Sequence, residues 1–270
     1  MRISRGIFGA AVVVCSIGLV AAVTVAPAAE AAATVSYVAL GDSYSSGLGA
    51  GDHISSSASC DRSTRAYPEQ WAGAYGPASF VSVACAGATT ADVLSSQVSA
   101  LSTSTTLVSI TIGGNDAGFS SVMETCVLSL TSSCLTAVSN AEAFIANSLP
   151  AKLNTTLQAI RAHAPAAKIV LLGYPDLYDL SKSSTCIGLS TKDRTALDGG
   201  ADALDQAMYA AAEANGDTFA DVSGQFAGHE ICDSGSWLNS VDIFAISSSY
   251  HPNASGQELG YLPVFTRATG

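Results

Sequence analysis

The 270-residue chain is short of charge. Only 12% of its residues are Asp, Glu, Lys or Arg, and 11 basic residues face 22 acidic ones, a net charge of −11. So few cations cannot build a stripe that neutralises a phosphate backbone, which excludes nucleic acid as the expected partner. Internal repeats, blocks of like charge and Pro-rich linkers are also lacking, and the Ser/Thr-rich stretches at 55–59 and 102–106 are short enough to be loops. There is no Cys-x-x-Cys pair and there are only four histidines, so a zinc centre has no ligand cluster; His229 lies near Cys232 but without companion cysteines. What is abundant is apolar: 48% of residues are hydrophobic, enough for a sizeable core and too many for a disordered chain.

Arg2 and Arg5 precede an uncharged run from Gly6 to Ala29, followed closely by Ala31-Ala32-Ala33. This is the order of a secretory signal peptide. The run approaches the ~20 residues that span a bilayer, but Pro27 and the small-residue exit favour cleavage over a permanent anchor. Cys15 stands behind Val12-Val13-Val14, where a lipoprotein peptidase would need small residues. Residues 1–33 are therefore read as a signal peptide and 34–270 as one domain of a secreted protein. Loss of Arg2, Arg5 and Glu30 leaves nine basic and 21 acidic residues, a net −12.

Six cysteines remain: Cys60, Cys85, Cys126, Cys134, Cys186 and Cys232. An even number in an exported chain reads as disulfides. Six cysteines allow 15 connectivities. Sequential pairing closes the shortest loops and is the pairing expected.

Strand-length apolar runs occur at 35–40, 80–83, 107–112, 169–172 and 219–222. Helical patterns lie between them at 90–98, at 139–162, where Pro150 must kink or divide the helix, and at 192–215 before Gly216. Largely apolar strands alternating with helices predict a five-stranded parallel sheet in a three-layer α/β/α sandwich. Such sheets bind ligands beyond the carboxyl ends of their strands. There the first run gives way to Gly41-Asp42-Ser43-Tyr44, a turn able to lift the Ser43 hydroxyl into a cleft. The second leads to Ala86-Gly87-Ala88-Thr89, which offers a backbone N–H near a helix start, and the third to Gly113-Gly114-Asn115-Asp116, whose Asn amide can donate to an oxyanion.

A serine nucleophile needs a base. His53 lies in a Gly/Ser loop, His163 at a helix end and His229 in a bland loop, whereas His251, in Ser249-Tyr250-His251-Pro252, leads into a last helix near 255–262 and can reach back over the sheet. His251 is the expected base. Asp42 and Asp116 flank the reactive residues and read as caps for turn N–H groups rather than proton carriers. Tyr44, Tyr250, Phe119 and Leu48, beside these motifs, read first as core and second as an acyl groove.

Gly41-Asp42-Ser43, the Gly87 turn, Gly114-Asn115-Asp116 and His251-Pro252, in that order, resemble the four blocks of the SGNH (GDSL) hydrolases. The six cysteines and the segment Gly260 to Val264 are similar to the secreted bacterial lipase branch of that family. The resemblance implies a flavodoxin-like α/β/α fold and makes Ser43 the nucleophile and His251 the base. It also implies an oxyanion hole formed by the N–H groups of Ser43 and Gly87 with the side chain of Asn115. One departure stands out: family members commonly carry an Asp three residues before the histidine, and Ser248 is there instead. A backbone carbonyl, of Ser248 or Ser249, is then expected to orient His251 in a Ser-His dyad, with Asp242 as the rival acid. The implied activity is that of a lipase or esterase working through an acyl-enzyme, with phospholipase A1 as the nearest alternative and a sugar-ester deacetylase or a noncatalytic binding protein beyond it. No metal or organic cofactor is expected. The expected partner is a lipid or other ester, met by a monomeric chain in transient contact with a lipid interface.

Overall fold

The computed structural model describes residues 34–182, 186, 188–242 and 246–270, so the expected signal peptide lies outside the described residues. All five apolar runs form strands: β1 (Ser36–Ala39), β2 (Ser79–Ser82), β3 (Leu107–Ile110), β4 (Lys168–Leu172) and β5 (Thr218–Ala220). They pair in parallel in the order β2-β1-β3-β4-β5. Position in the sheet explains composition: β3 is buried throughout and β4 everywhere but Lys168, whereas β2, at an edge, alternates exposed and half-buried residues. The chain leaves β1 for β2 on one side and resumes at β3 on the other, so a crevice opens beyond the carboxyl ends of β1 and β3.

The helices are α1 (Ser43–Ser46), α2 (Tyr67–Tyr75), α3 (Thr90–Asp92), α4 (Phe119–Leu128), α5 (Thr131–Asn147), α6 (Leu149–His163), α7 (Thr191–Asn215), α8 (Ser223–Phe226) and α9 (Leu262–Thr269). On one face of the sheet α2 and α9 pack together, and Tyr37 of β1 meets Trp71 of α2 edge-on and stacks with Phe265 of α9. On the other, α5, α6 and α7 pack on one another, with α7 against β4 and β5. This is the three-layer sandwich anticipated.

Details differ from the sequence reading. The helical pattern at 139–162 is two helices, α5 and α6, broken at Ser148. Pro150 falls in the first turn of α6, where its missing N–H has no intrahelical partner to lose. The pattern at 90–98 keeps one regular turn, α3, before loosening into a π turn (Val93–Gln97) and a 3₁₀ turn (Val98–Ala100). The final pattern is a π turn (Gly256–Tyr261) that hands over to α9. Helices α2 and α4 are additions. Three disulfides, Cys60–Cys85, Cys126–Cys134 and Cys186–Cys232, realise the sequential pairing and leave none of the six thiols for zinc.

Candidate active site

Beyond β1 the backbone is locked before the serine is reached. The N–H of Leu40 donates to the Ser109 carbonyl and that of Asp42 to the Thr111 carbonyl, continuing the β1–β3 pairing into the turn. Gly41, at φ 120°, lies so close to the Thr111 backbone that a Cβ would collide with it. Gln97 closes on the same residue from α3's extension: its Oε1 accepts the Gly41 N–H at 2.7 Å and its Nε2 donates to the Gly41 carbonyl at 2.9 Å. Ser43 then starts α1, capped by Asp42, whose Oδ1 accepts the Tyr44 N–H at 3.0 Å and whose Oδ2 accepts the Tyr174 hydroxyl. Burial raises the Asp42 pKa to about 7 against these two hydrogen bonds. Asp42 is thus a cap, as its place in the turn suggests. So is Asp116, which accepts the N–H and hydroxyl of Thr90 at 2.8 and 2.7 Å and ties the loop after β3 to the start of α3.

His251 arrives from 208 positions away, and its Nε2 lies 2.7 Å from Ser43 Oγ. Its Nδ1 lies 2.9 Å from the Ser249 carbonyl oxygen. A carbonyl only accepts, so Nδ1 carries the proton and Nε2 presents a lone pair to the serine hydroxyl. Both side chains are enclosed, with Ser43 7% and His251 8% exposed. Burial lowers the His251 pKa to about 4, with the Ser249 and Ser248 carbonyls pulling the other way. The Ser248 carbonyl accepts the His251 backbone N–H at 3.3 Å, and Asp242 is exposed, its backbone N–H donating to Ser249 Oγ at 2.9 Å.

The loop that carries His251 is braced by residues no spacing in the sequence announces. Asn239 accepts the Tyr250 N–H and donates its own N–H to the His251 carbonyl, at 2.8 and 2.9 Å, while its Nδ2 reaches the Gly49 carbonyl at 2.9 Å. Tyr250, in the left-handed region at φ 67°, is held from two further sides: its carbonyl accepts the Tyr44 hydroxyl at 2.8 Å and its hydroxyl bonds that of Tyr178 at 2.9 Å.

The loops after β1, β2 and β3 converge. The Cys85 N–H donates to the Gly41 carbonyl at 3.0 Å, and Asn115 Nδ2 donates to the Ala88 carbonyl at 3.0 Å, leaving the second N–H of that amide available. Among the described residues, no protein acceptor takes the N–H of Ser43 or that of Gly87. Three donors at neighbouring strand ends beside a serine–imidazole pair suit acyl transfer: the imidazole accepts the hydroxyl proton and the donors meet the charge that develops on a carbonyl oxygen. The remaining histidines are elsewhere: His53 faces the Asp61 carbonyl, His163 the Ala159 carbonyl on its own helix, and His229 stacks on Trp237.

Two apolar recesses flank the pair. Phe119, Met123, Val127 and Leu128 border a groove that also contains Ser249, Tyr250 and His251. Tyr44, Gly114 and Phe119 edge a second, narrow recess between α4, α5 and α7, with Gly200 and Ala201 among its walls. Of the four residues singled out in the sequence as an acyl groove, Tyr44 and Phe119 border the second recess and Tyr250 and Phe119 the first; Leu48 borders neither.

A parallel sheet with a serine at the end of its first strand, a glycine turn after the second, Asn-Asp after the third and a His-Pro loop near the end defines a class. The chain belongs to the GDSL-like lipase/acylhydrolase family, whose model matches residues 39–259. It is 52% identical over 243 residues to Lipase 1 of Streptomyces coelicolor, covering 90% of each chain. Its fold is similar to the crystal structure of phospholipase A1 from Streptomyces albidoflavus NA297, at 50% identity and a TM-score of 0.85, covering 87% of this chain and 99% of that one. It is also similar to that of an extracellular lipase from Streptomyces rimosus, at 49% identity and a TM-score of 0.84, with the same coverage.

Proposed function

We propose that this chain is a secreted serine carboxylic ester hydrolase that cleaves acyl esters of lipids through an acyl-enzyme on Ser43. The observation that carries the reading is the 2.7 Å bond between Ser43 Oγ and a His251 Nε2 whose lone pair is kept free by the Nδ1–Ser249 contact. His251 takes the hydroxyl proton as Ser43 Oγ attacks the ester carbonyl. The N–H groups of Ser43 and Gly87 and the free N–H of the Asn115 amide hold the resulting oxyanion. The imidazolium then gives its proton to the departing alcohol. Water attacks the acyl-enzyme with His251 again as base, and the acid leaves as Ser43 regains its proton. The Ser249 carbonyl fixes the tautomer and ring orientation, the role whose loss costs ~10⁴-fold in serine proteases.

Lipases and a phospholipase A1 at about 50% identity support a lipid ester as substrate, and the phospholipase keeps phospholipid sn-1 esters as the second reading. Both reactions use the same acyl-enzyme, so the groove beside His251 rather than the dyad separates them. Three disulfides and the likeness to an extracellular lipase support export, with residues 1–33 as the signal peptide and 34–270 as a monomeric domain. Among the described residues no helix is long and apolar enough to cross a membrane.

The test is hydrolysis of p-nitrophenyl esters from acetyl to palmitoyl by the purified mature chain beside a folded Ser43→Ala control. Activity that peaks at medium or long chains and falls at least about 10⁴-fold in the control is the expected result. A preference for acetyl points to sugar esters, and silence on every ester refutes the enzyme.

A further inference from the structure

The end of α4 and the turn to α5 read Cys126-Val127-Leu128-Ser129-Leu130 and present two leucines to solvent: Leu128 is 69% and Leu130 78% exposed, the highest values among the large hydrophobic residues described, and Leu135 follows on α5. Leu130 is costly for the fold in two ways. Its side chain is left in water, and it occupies the N-cap of α5, where it makes no side-chain cap although serine, threonine, asparagine or aspartate would close the orphan N–H groups. From Thr125 to Ala141 the chain has no charged residue, an uncharged stretch in a protein of net −11. The Cys126–Cys134 disulfide, its sulfurs buried, ties the two helices together behind this tip, so the leucines are displayed on a fixed backbone and lose little freedom on contact. The tip is also continuous with the candidate active site, because Val127 and Leu128 border the groove that holds His251.

We infer that the α4–α5 tip is a docking surface for an uncharged or zwitterionic lipid aggregate, into which Leu128 and Leu130 insert so that the His251 groove faces the lipid. The inference rests on the lipid-ester reading above. A lipid ester is sparingly present as a monomer, and a rigid apolar tip at the mouth of the groove brings the enzyme to the phase that holds it. The negative net charge selects against anionic surfaces.

The experiment measures partition of the mature chain, made inert by Ser43→Ala, onto phosphatidylcholine vesicles by co-sedimentation. Leu130→Ser in that background should lower the partition coefficient about tenfold, while raising the Tm, because serine supplies the missing cap. Leu259→Ser, at an exposed leucine outside the tip, should leave partition unchanged. With Ser43 intact, Leu130→Ser should hydrolyse soluble p-nitrophenyl acetate at the parent rate. Failure of the parent to bind vesicles overturns the inference, as does equal binding by the parent and Leu130→Ser or an equal loss in Leu259→Ser. Absence of hydrolysis by the parent on every ester instead overturns the ester-hydrolase reading, a separate result from the partition data.

Discussion

The two halves of the Ser43–His251 pair are held by different means. Ser43 stands four residues beyond the last strand residue that carries it into the crevice, and its turn is fixed largely by the sheet: the Leu40 and Asp42 N–H groups extend the β1–β3 ladder, Gly41 is wedged against Thr111 and Asp42 caps the first turn of α1. His251 stands in a loop outside the sheet, and its position depends on two backbone hydrogen bonds with Asn239, on the Asn239 side chain, which donates to the Gly49 and Ser248 carbonyls, and on the Tyr44 and Tyr178 hydroxyls, which hold Tyr250. Ser43 is placed by the backbone ladder of the sheet, with Gln97 and Tyr174 closing on its turn, and His251 by one backbone pairing with Asn239 supplemented by the hydroxyls of Tyr44 and Tyr178. The side-chain braces of the His251 loop, unlike the backbone ladder under Ser43, can each be removed by a single substitution.

The largest effect is expected on the strand-end side. Asn115→Ala removes one oxyanion donor, and kcat should fall 10² to 10³-fold with the fold intact; nearly full turnover in a folded variant would remove Asn115 from the site. On the loop side, Asn239→Ala cuts the side-chain bonds to the Gly49 and Ser248 carbonyls but leaves the backbone bonds, and a displaced imidazole should lower kcat by about 10²-fold with KM little changed. The pH profile sharpens the contrast. A protonated His251 has no lone pair for Ser43, so kcat/KM of the parent should fall only as pH drops through about 4. A loosened loop readmits water and weakens the burial that depresses this pKa, so the acid limb of Asn239→Ala should move upward, toward the ordinary histidine value of about 6.5. An unmoved limb at full turnover would show that Asn239 does not position the base.

The same contrast explains what the sequence discloses. The strands are legible because each is a short apolar run that a buried parallel sheet demands, and the strand-end motifs are legible because turn, cap and donor lie within a few residues of one another. Helix α4 is not legible: it starts at a glycine in the left-handed conformation without a side-chain cap, and its apolar residues continue into exposed Leu128. Gln97, Tyr174 and Asn239 are not legible either, since Gln97 meets Gly41 56 positions away, Tyr174 meets Asp42 132 away and Asn239 reaches Gly49 190 away, with no periodicity linking the partners. The missing Asp at position 248 is visible in the sequence, but the choice between the Ser248 and Ser249 carbonyls required the ring orientation.

The central claim is that a backbone carbonyl, with no carboxylate, orients His251. Its most direct test is kcat of Asp242→Asn on a p-nitrophenyl ester. Turnover within about twofold of the parent is the predicted result, because the Nδ1 proton already has its acceptor in Ser249. A loss approaching 10⁴-fold, the cost of removing a triad acid, would contradict the dyad and make Asp242 the third member.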